Sequence, residues 1–209
     1  MCGIYAIYSK NTNNNNIIEL KDGMKKLQHR GKDSYGIAMQ IKNNILSIKR
    51  KGEIKNSTLN NLKYTNCSSC VGHLRYSTSG HSSNLGKLMQ NEIQPLTGSK
   101  NNIQYALTHN GNIPNVKGHD TTYINDRLMN NSNSIETNLV DIMNEIPAAY
   151  CIVILINNVL YVMRDRYGIR PLCIGKKDNN FYISSESVAF SNEINYIRDV
   201  KPGEILKIN

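Results

Sequence analysis

MCGIYAIYS (residues 1–9) sets a cysteine directly after the initiator methionine, then a glycine, then an apolar run. Residues 3–9 read as a strand closed by the polar loop that follows. A penultimate cysteine is small enough for the methionine to be removed. Its thiol then shares a residue with a free α-amine, whose ordinary pKa is about 7.7–8.0. An amine of that basicity beside a thiol can activate it without a catalytic histidine. The competing reading is a strand that begins with a small residue, and the remaining segments decide between the two.

Outward from that strand, Ile17, Leu20, Met24 and Leu27 recur at helical spacing, with Gly31 as a stop, and predict a helix over 17–28. Strand-like pieces follow at 35–41, 45–50, 69–76 and 103–111, the first two joined across Asn43-Asn44. Helical patterns occupy 120–130 and 134–145, the second capped by Ser132 or Ser134. Strands return in AAYCIVILI (148–156), then VLYVMRD after an Asn157-Asn158 turn, LCIGKK and NFYISSES. A short helix is expected over 187–193 and a closing strand over 203–208. Strands, then helices, then strands, joined by hairpins, predict an α+β domain of antiparallel sheets with helices outside. No linker or repeat interrupts the chain, so residues 1–209 are expected to form one domain.

Composition narrows the classes. With 209 residues, 39% apolar, no Trp and 2 Phe, the core must be filled by Ile, Leu, Val, Met and some of the 12 Tyr. The net charge of +9 raises nucleic-acid binding. However, the densest basic run, KRKGEIK (49–55), contains a glutamate and no aromatic, so no nucleic-acid partner is expected. The N-terminus lacks a basic, then long apolar, leader, and no run approaches the roughly 20 apolar residues of a spanning helix. A soluble, cytoplasmic protein with its 5 cysteines reduced is expected. Cys67 and Cys70 have CxxC spacing but only His73 nearby, short of the four ligands of structural zinc, and they lead into a strand. No metal or cofactor is expected.

Three further segments carry chemistry. HRGKDSYGI (29–37) places Arg30, Gly31 and Asp33 in a turn between the first helix and the next strand. GHLRYSTSG (72–80) ends a strand on Arg75, a residue suited to gripping a carboxylate with a bidentate fork. THNGN (108–112) ends another strand on His109, Asn110 and Gly111; a side-chain amide and a glycine N–H aimed at one point make an oxyanion hole.

Taken in order, MCGI, QHRGKDSYGI, VGHLRYSTSG, THNGN, RDRYGIRPL (164–172), SSESVAF (184–190) and PGE (202–204) resemble the glutaminase domain of class II, N-terminal nucleophile, glutamine amidotransferases, and among these the amidophosphoribosyltransferases. The resemblance spans essentially the whole chain. It implies a four-layer αββα sandwich and hydrolysis of the glutamine side-chain amide to glutamate and ammonia through a Cys2 thioester. It further implies Asn110 and Gly111 at the oxyanion, Arg75 with Thr78, Ser79 and Gly80 at the substrate carboxylate, and Arg30, Gly31, Asp33 and His109 in support. Glutamine is the implied substrate; a single glutaminase domain without a phosphoribosyltransferase domain is expected, and with it a separate synthase subunit as the ammonia acceptor. In the resembled family a Ser-Asp-x-Glu string opens the helix after HNG, its Asp holding the substrate ammonium. Alignment on Glu136 puts Ser134 at that Asp, with Asp120, Asp126 or Glu136 as compensating carboxylates. A site so weakened leaves a second expectation, an amidotransferase-like binding or regulatory module.

Overall fold

The computed structural model describes residues 1–13, 15–55, 57–58, 65–76, 92–116, 118–130 and 132–209. Its elements are β1 (Gly3–Tyr8), α1 (Asn15–Lys26), β2 (Ser34–Ile41), β3 (Asn44–Lys51), β4 (Cys70–Arg75), β5 (Leu96–Lys100), β6 (Ile103–Asn112), α2 (Asp120–Met129), α3 (Ile135–Glu145), β7 (Ala149–Ile156), β8 (Val159–Arg164), β9 (Cys173–Lys177), β10 (Asn180–Ser184), β11 (Asn195–Asp199) and β12 (Ile205–Ile208). They form a seven-stranded sheet, β11-β9-β10-β1-β4-β2-β3, and a five-stranded sheet, β12-β8-β7-β6-β5. The pairings given for both are antiparallel.

Residue alternation assigns the layers, because successive strand side chains point to opposite faces. In β1, Ile4 and Ala6 pack with Ala106, Val153, Leu155 and Val162 between the sheets. Tyr5 and Ile7 face the other way, onto Ile17, Leu20 and Met24 of α1. In the second sheet Leu107, Ile152 and Ile154 meet Ile124, Leu128, Leu139 and Ile142 of α2 and α3. Helix, sheet, sheet, helix is the expected four-layer αββα order.

Local chemistry explains most boundaries. Asn157 and Asn158 both take positive φ, the conformation of a two-residue hairpin turn. Between β2 and β3 the positive φ falls on Lys42, one residue before the expected Asn-Asn pair. Helix α1 ends at Lys26 and a separate 3-10 turn carries Gln28–Arg30. Over 187–193 only a 3-10 turn, Ser187–Ala189, forms. Strands β5 and β11 gave no sequence signal, for a common reason: both lie at sheet edges, where one flank is open and polar residues such as Thr97, Ser99 and Asn195 serve as well as apolar ones. Cys67 and Cys70 are free, buried thiols of the α1-side core, and no metal-holding cluster occurs among the described residues. No helix among them is long and apolar enough to cross a membrane.

Candidate active site

Cys2 immediately precedes β1 and is clamped from two directions. The Arg30 Nε–H donates to the Cys2 carbonyl at 2.9 Å, and the other end of that guanidinium pairs with Glu186. Two residues further on, the Ile4 N–H donates to Ser185 Oγ at 2.9 Å, while the Ser185 N–H donates to the Ile4 carbonyl, also at 2.9 Å. The turn after α1 and the turn after β10 thus fix the start of the chain. These contacts give QHRG and SSES a shared purpose.

β4 runs beside β1, Gly3 opposite Leu74, and brings Arg75 and Tyr76 to the same end of the sheet. The Arg75 carbonyl accepts the Asp33 N–H at 3.1 Å. Gly31 packs under it so tightly that a Cβ there would lie 2.7 Å from both the carbon and the oxygen of that carbonyl. Gly31 and Asp33 therefore act by seating Arg75.

On the facing sheet, β6 ends in His109, Asn110, Gly111 and Asn112, with Asn110 opposite Cys151 of β7. Alternation from Ala106 turns Asn110 toward the inter-sheet layer, the layer to which Ile4 and Ala6 assign Cys2 by the same parity. The Asn110 Nδ2 is buried and donates to no acceptor among the described residues. A buried donor left unpaired costs about 1–3 kcal/mol.

His109 is buried and faces α2. Its N–H donates to Gln94 Oε1 at 2.5 Å, its Nδ1 lies 3.1 Å from Thr121 Oγ1, and the Gln94 Nε2–H donates to the same hydroxyl at 3.0 Å. Burial pushes its pKa down to about 4 against the opposing pull of Asp120. Near neutral pH it is an uncharged support, and its Nε2 lies 2.6 Å from where a Cβ on Gly111 would sit.

A cavity of about 270 Å³ is lined by Cys2, Arg75, Tyr76, Gln94, His109, Gly111, His119, Asp120 and Thr121, among others; Asn110 lies next to this lining without being part of it, and Arg30, Gly31 and Asp33 stand outside it. Burial raises the Cys2 thiol pKa, a Tyr76 backbone hydrogen bond and the N-terminal charge lower it, and Arg75 and Asp120 act on it with opposite sign. Among side chains, the thiol therefore feels the cation of Arg75 and the anion of Asp120. Of the other expected residues, Thr78, Ser79 and Gly80 lie outside the described residues. Ser134 is exposed, and its Oγ accepts the Thr137 N–H at 3.1 Å as the cap of α3; it does not line the cavity. Glu136 binds Lys207 and Tyr161, and Asp126 accepts from Asn130, both outside the cavity. The helix that follows THNGN is α2, opened by His119-Asp120-Thr121-Thr122, so the carboxylate at the start of that helix is Asp120. Gln94 and His119 carry no motif of their own and gave no sequence signal, and Tyr76 lies inside GHLRYSTSG beside the arginine that drew the attention.

Two antiparallel sheets between helical layers, with a second-position cysteine at the mouth of a charged cleft, define an N-terminal nucleophile amidotransferase fold. The glutamine amidotransferase domain family matches residues 81–192, more than half of the chain, and the chain belongs to that family. An amidophosphoribosyltransferase of Methanocaldococcus jannaschii is 34% identical over 233 residues, covering 100% of this chain and 47% of the relative. One from Methanothermobacter thermautotrophicus is 30% identical with the same coverage. The chain thus spans about half the length of these relatives. The solved glutamine phosphoribosylpyrophosphate amidotransferase of B. subtilis, complexed with ADP and GMP, superposes with a TM-score of 0.83 at 26% identity, over 100% of this chain and 47% of that one.

Proposed function

We propose that this chain hydrolyses the side-chain amide of glutamine to glutamate and ammonia, with Cys2, freed of Met1, as nucleophile. The observation that carries the reading is the cavity in which Cys2 meets Arg75 and Asp120. Glutamine presents a carboxylate and an ammonium at one end and the scissile amide at the other. Arg75, with Thr78, Ser79 and Gly80, takes the carboxylate, and Asp120, rather than Ser134, takes the ammonium.

A thiol is mostly protonated near neutral pH, since its ordinary pKa is about 8.5, so attack needs a base. The α-amine of processed Cys2 takes the thiol proton as sulfur adds to the amide carbon. The Asn110 side chain and the Gly111 N–H hold the resulting oxyanion. The amine returns the proton to the departing nitrogen, ammonia leaves, and water cleaves the thioester to glutamate, regenerating the thiol. Arg30, Gly31, Asp33 and His109 position these groups. The ammonia passes to an acceptor on a synthase, either a separate subunit or a further domain. The alternative of a weakened binding module rested on Ser134, and Asp120 in the cavity supplies the carboxylate that Ser134 lacks.

The test is glutamate release by Met-processed protein, with Cys2→Ala as control, alongside labelling of Cys2 by a diazo-ketone glutamine analogue. Turnover and labelling that both depend on Cys2 are expected. Absence of both from the unmutated protein refutes the reading.

A further inference from the structure

Arg75 is already engaged before any substrate arrives. Its Nη1 and Nη2 each donate to a single oxygen, Oε2 of Glu92, at 3.2 Å. The guanidinium is mostly buried, at 14% exposure, whereas Glu92 keeps 37%. The carboxylate stands on a fixed platform. The next two residues, Ile93 and Gln94, are buried, and Gln94 is tied by its side chain to the β6 backbone and to Thr121 of α2. The arginine is fixed as well, through its carbonyl bond to Asp33.

We infer that Glu92 is a positioning residue for Arg75. It holds the terminal nitrogens so that the guanidinium keeps one orientation and offers its unspent donors to the substrate carboxylate. The inference rests on the reading of the Cys2 cavity as a glutamine site. Its chemistry is that of a guanidinium serving two carboxylates. Glu92 takes one N–H from each terminal nitrogen through one oxygen, which leaves a side-on edge, Nε–H with one hydrogen of one terminal nitrogen, for a second carboxylate. An arginine free to rotate would have to be ordered at the moment of binding. Glu92 does this in advance, so its contribution falls on substrate affinity and not on the chemical step.

The experiment compares Glu92→Ala and Glu92→Gln with the unmutated, Met-processed protein in the glutaminase assay, with denaturation midpoints measured in parallel. In Glu92→Ala, KM for glutamine should rise roughly 3- to 10-fold, the factor carried by ordering one rotamer-rich side chain, with kcat little changed. Glu92→Gln keeps an acceptor oxygen and should restore most of the affinity. An unchanged KM in Glu92→Ala overturns the inference, as does a fall in KM, which would make Glu92 a competitor of the substrate. A joint loss of kcat and midpoint overturns it in favour of a role in folding. Each of these leaves the glutaminase reading standing. An unmutated protein with no Cys2-dependent turnover removes that reading and this inference with it.

Discussion

Two imidazoles sealed in the interior give the protein a calculable acid sensitivity. His73 and His109 are 0% and 2% exposed, and burial is the main cause that pushes their pKa values down to about 3 and about 4. In the unfolded chain the same side chains titrate near 6.5. A depressed histidine makes the native state refuse a proton that the unfolded state accepts. Stability is therefore full above about pH 6.5 and falls as pH drops toward the folded values. At about pH 5 each unfolded imidazole lies roughly 1.5 pH units below its pKa, worth about 2 kcal/mol at 1.36 kcal/mol per unit. Together the two withdraw about 4 kcal/mol between pH 7 and pH 5. That is a large share of the 5–15 kcal/mol that typically separates folded from unfolded domains. His119, also lowered by burial, adds in the same sense. Glu136, held at about 2 by Lys207, acts in the same direction but contributes chiefly below the usual carboxylate range near 4.3, outside this window. The assay is urea unfolding at the two pH values, followed by far-ultraviolet circular dichroism because the chain has no Trp. His73→Leu should halve the difference. A loss below about 1 kcal/mol in the unmutated protein would refute the reasoning, since it would mean that the buried rings already accept protons when folded.

Three other outcomes are expected. Asp120→Asn keeps the oxygen that accepts the Thr121 N–H but removes the charge; KM for glutamine should rise roughly 10- to 100-fold in the glutamate-release assay. Gly111→Ala drives a Cβ into the Ala149 carbonyl and to 2.6 Å from His109 Nε2, so a stability lowered by about 1–3 kcal/mol in urea unfolding and loss of turnover are expected. Ser134→Ala removes the α3 cap and should cost about 1 kcal/mol in urea unfolding while leaving KM within twofold.

Where sequence and structure agree, each signal was local and strong. GIYAIY and YCIVILI alternate or run apolar because they are central strands, and Asn157-Asn158 takes the positive φ a tight hairpin needs. The strand-end positions of Arg75 and Asn110-Gly111 were legible because polar and glycine residues there close apolar runs, and β4 ends beside Cys2. The place of Ser134 was legible as a helix cap, that of the helix expected over 134–145, and it lies away from the Cys2 cavity, whereas Asp120, named in the sequence only as a compensating carboxylate, lines it. Helix α2 opens on His119, which makes no side-chain cap bond, so its start was quieter than that of its neighbour. Gln94 and Glu92 gave no signal, because their roles arise from partners brought together only by folding: His109 and Thr121 for one, Arg75 for the other.

The clamp on Cys2 also bears on the order in which the protein is completed. The bond from the Ile4 N–H to Ser185 joins residues separated by 181 positions, and β1 lies between β4 and β10 in the middle of its sheet. Pairings that distant are closed slowly, because the loop entropy must be met before the contact rewards it. The seat of the cysteine is finished only when the turn after β10 has been made, 181 positions beyond Ile4. The nascent chain thus carries this thiol through that whole stretch without the contacts that hold it in the folded protein.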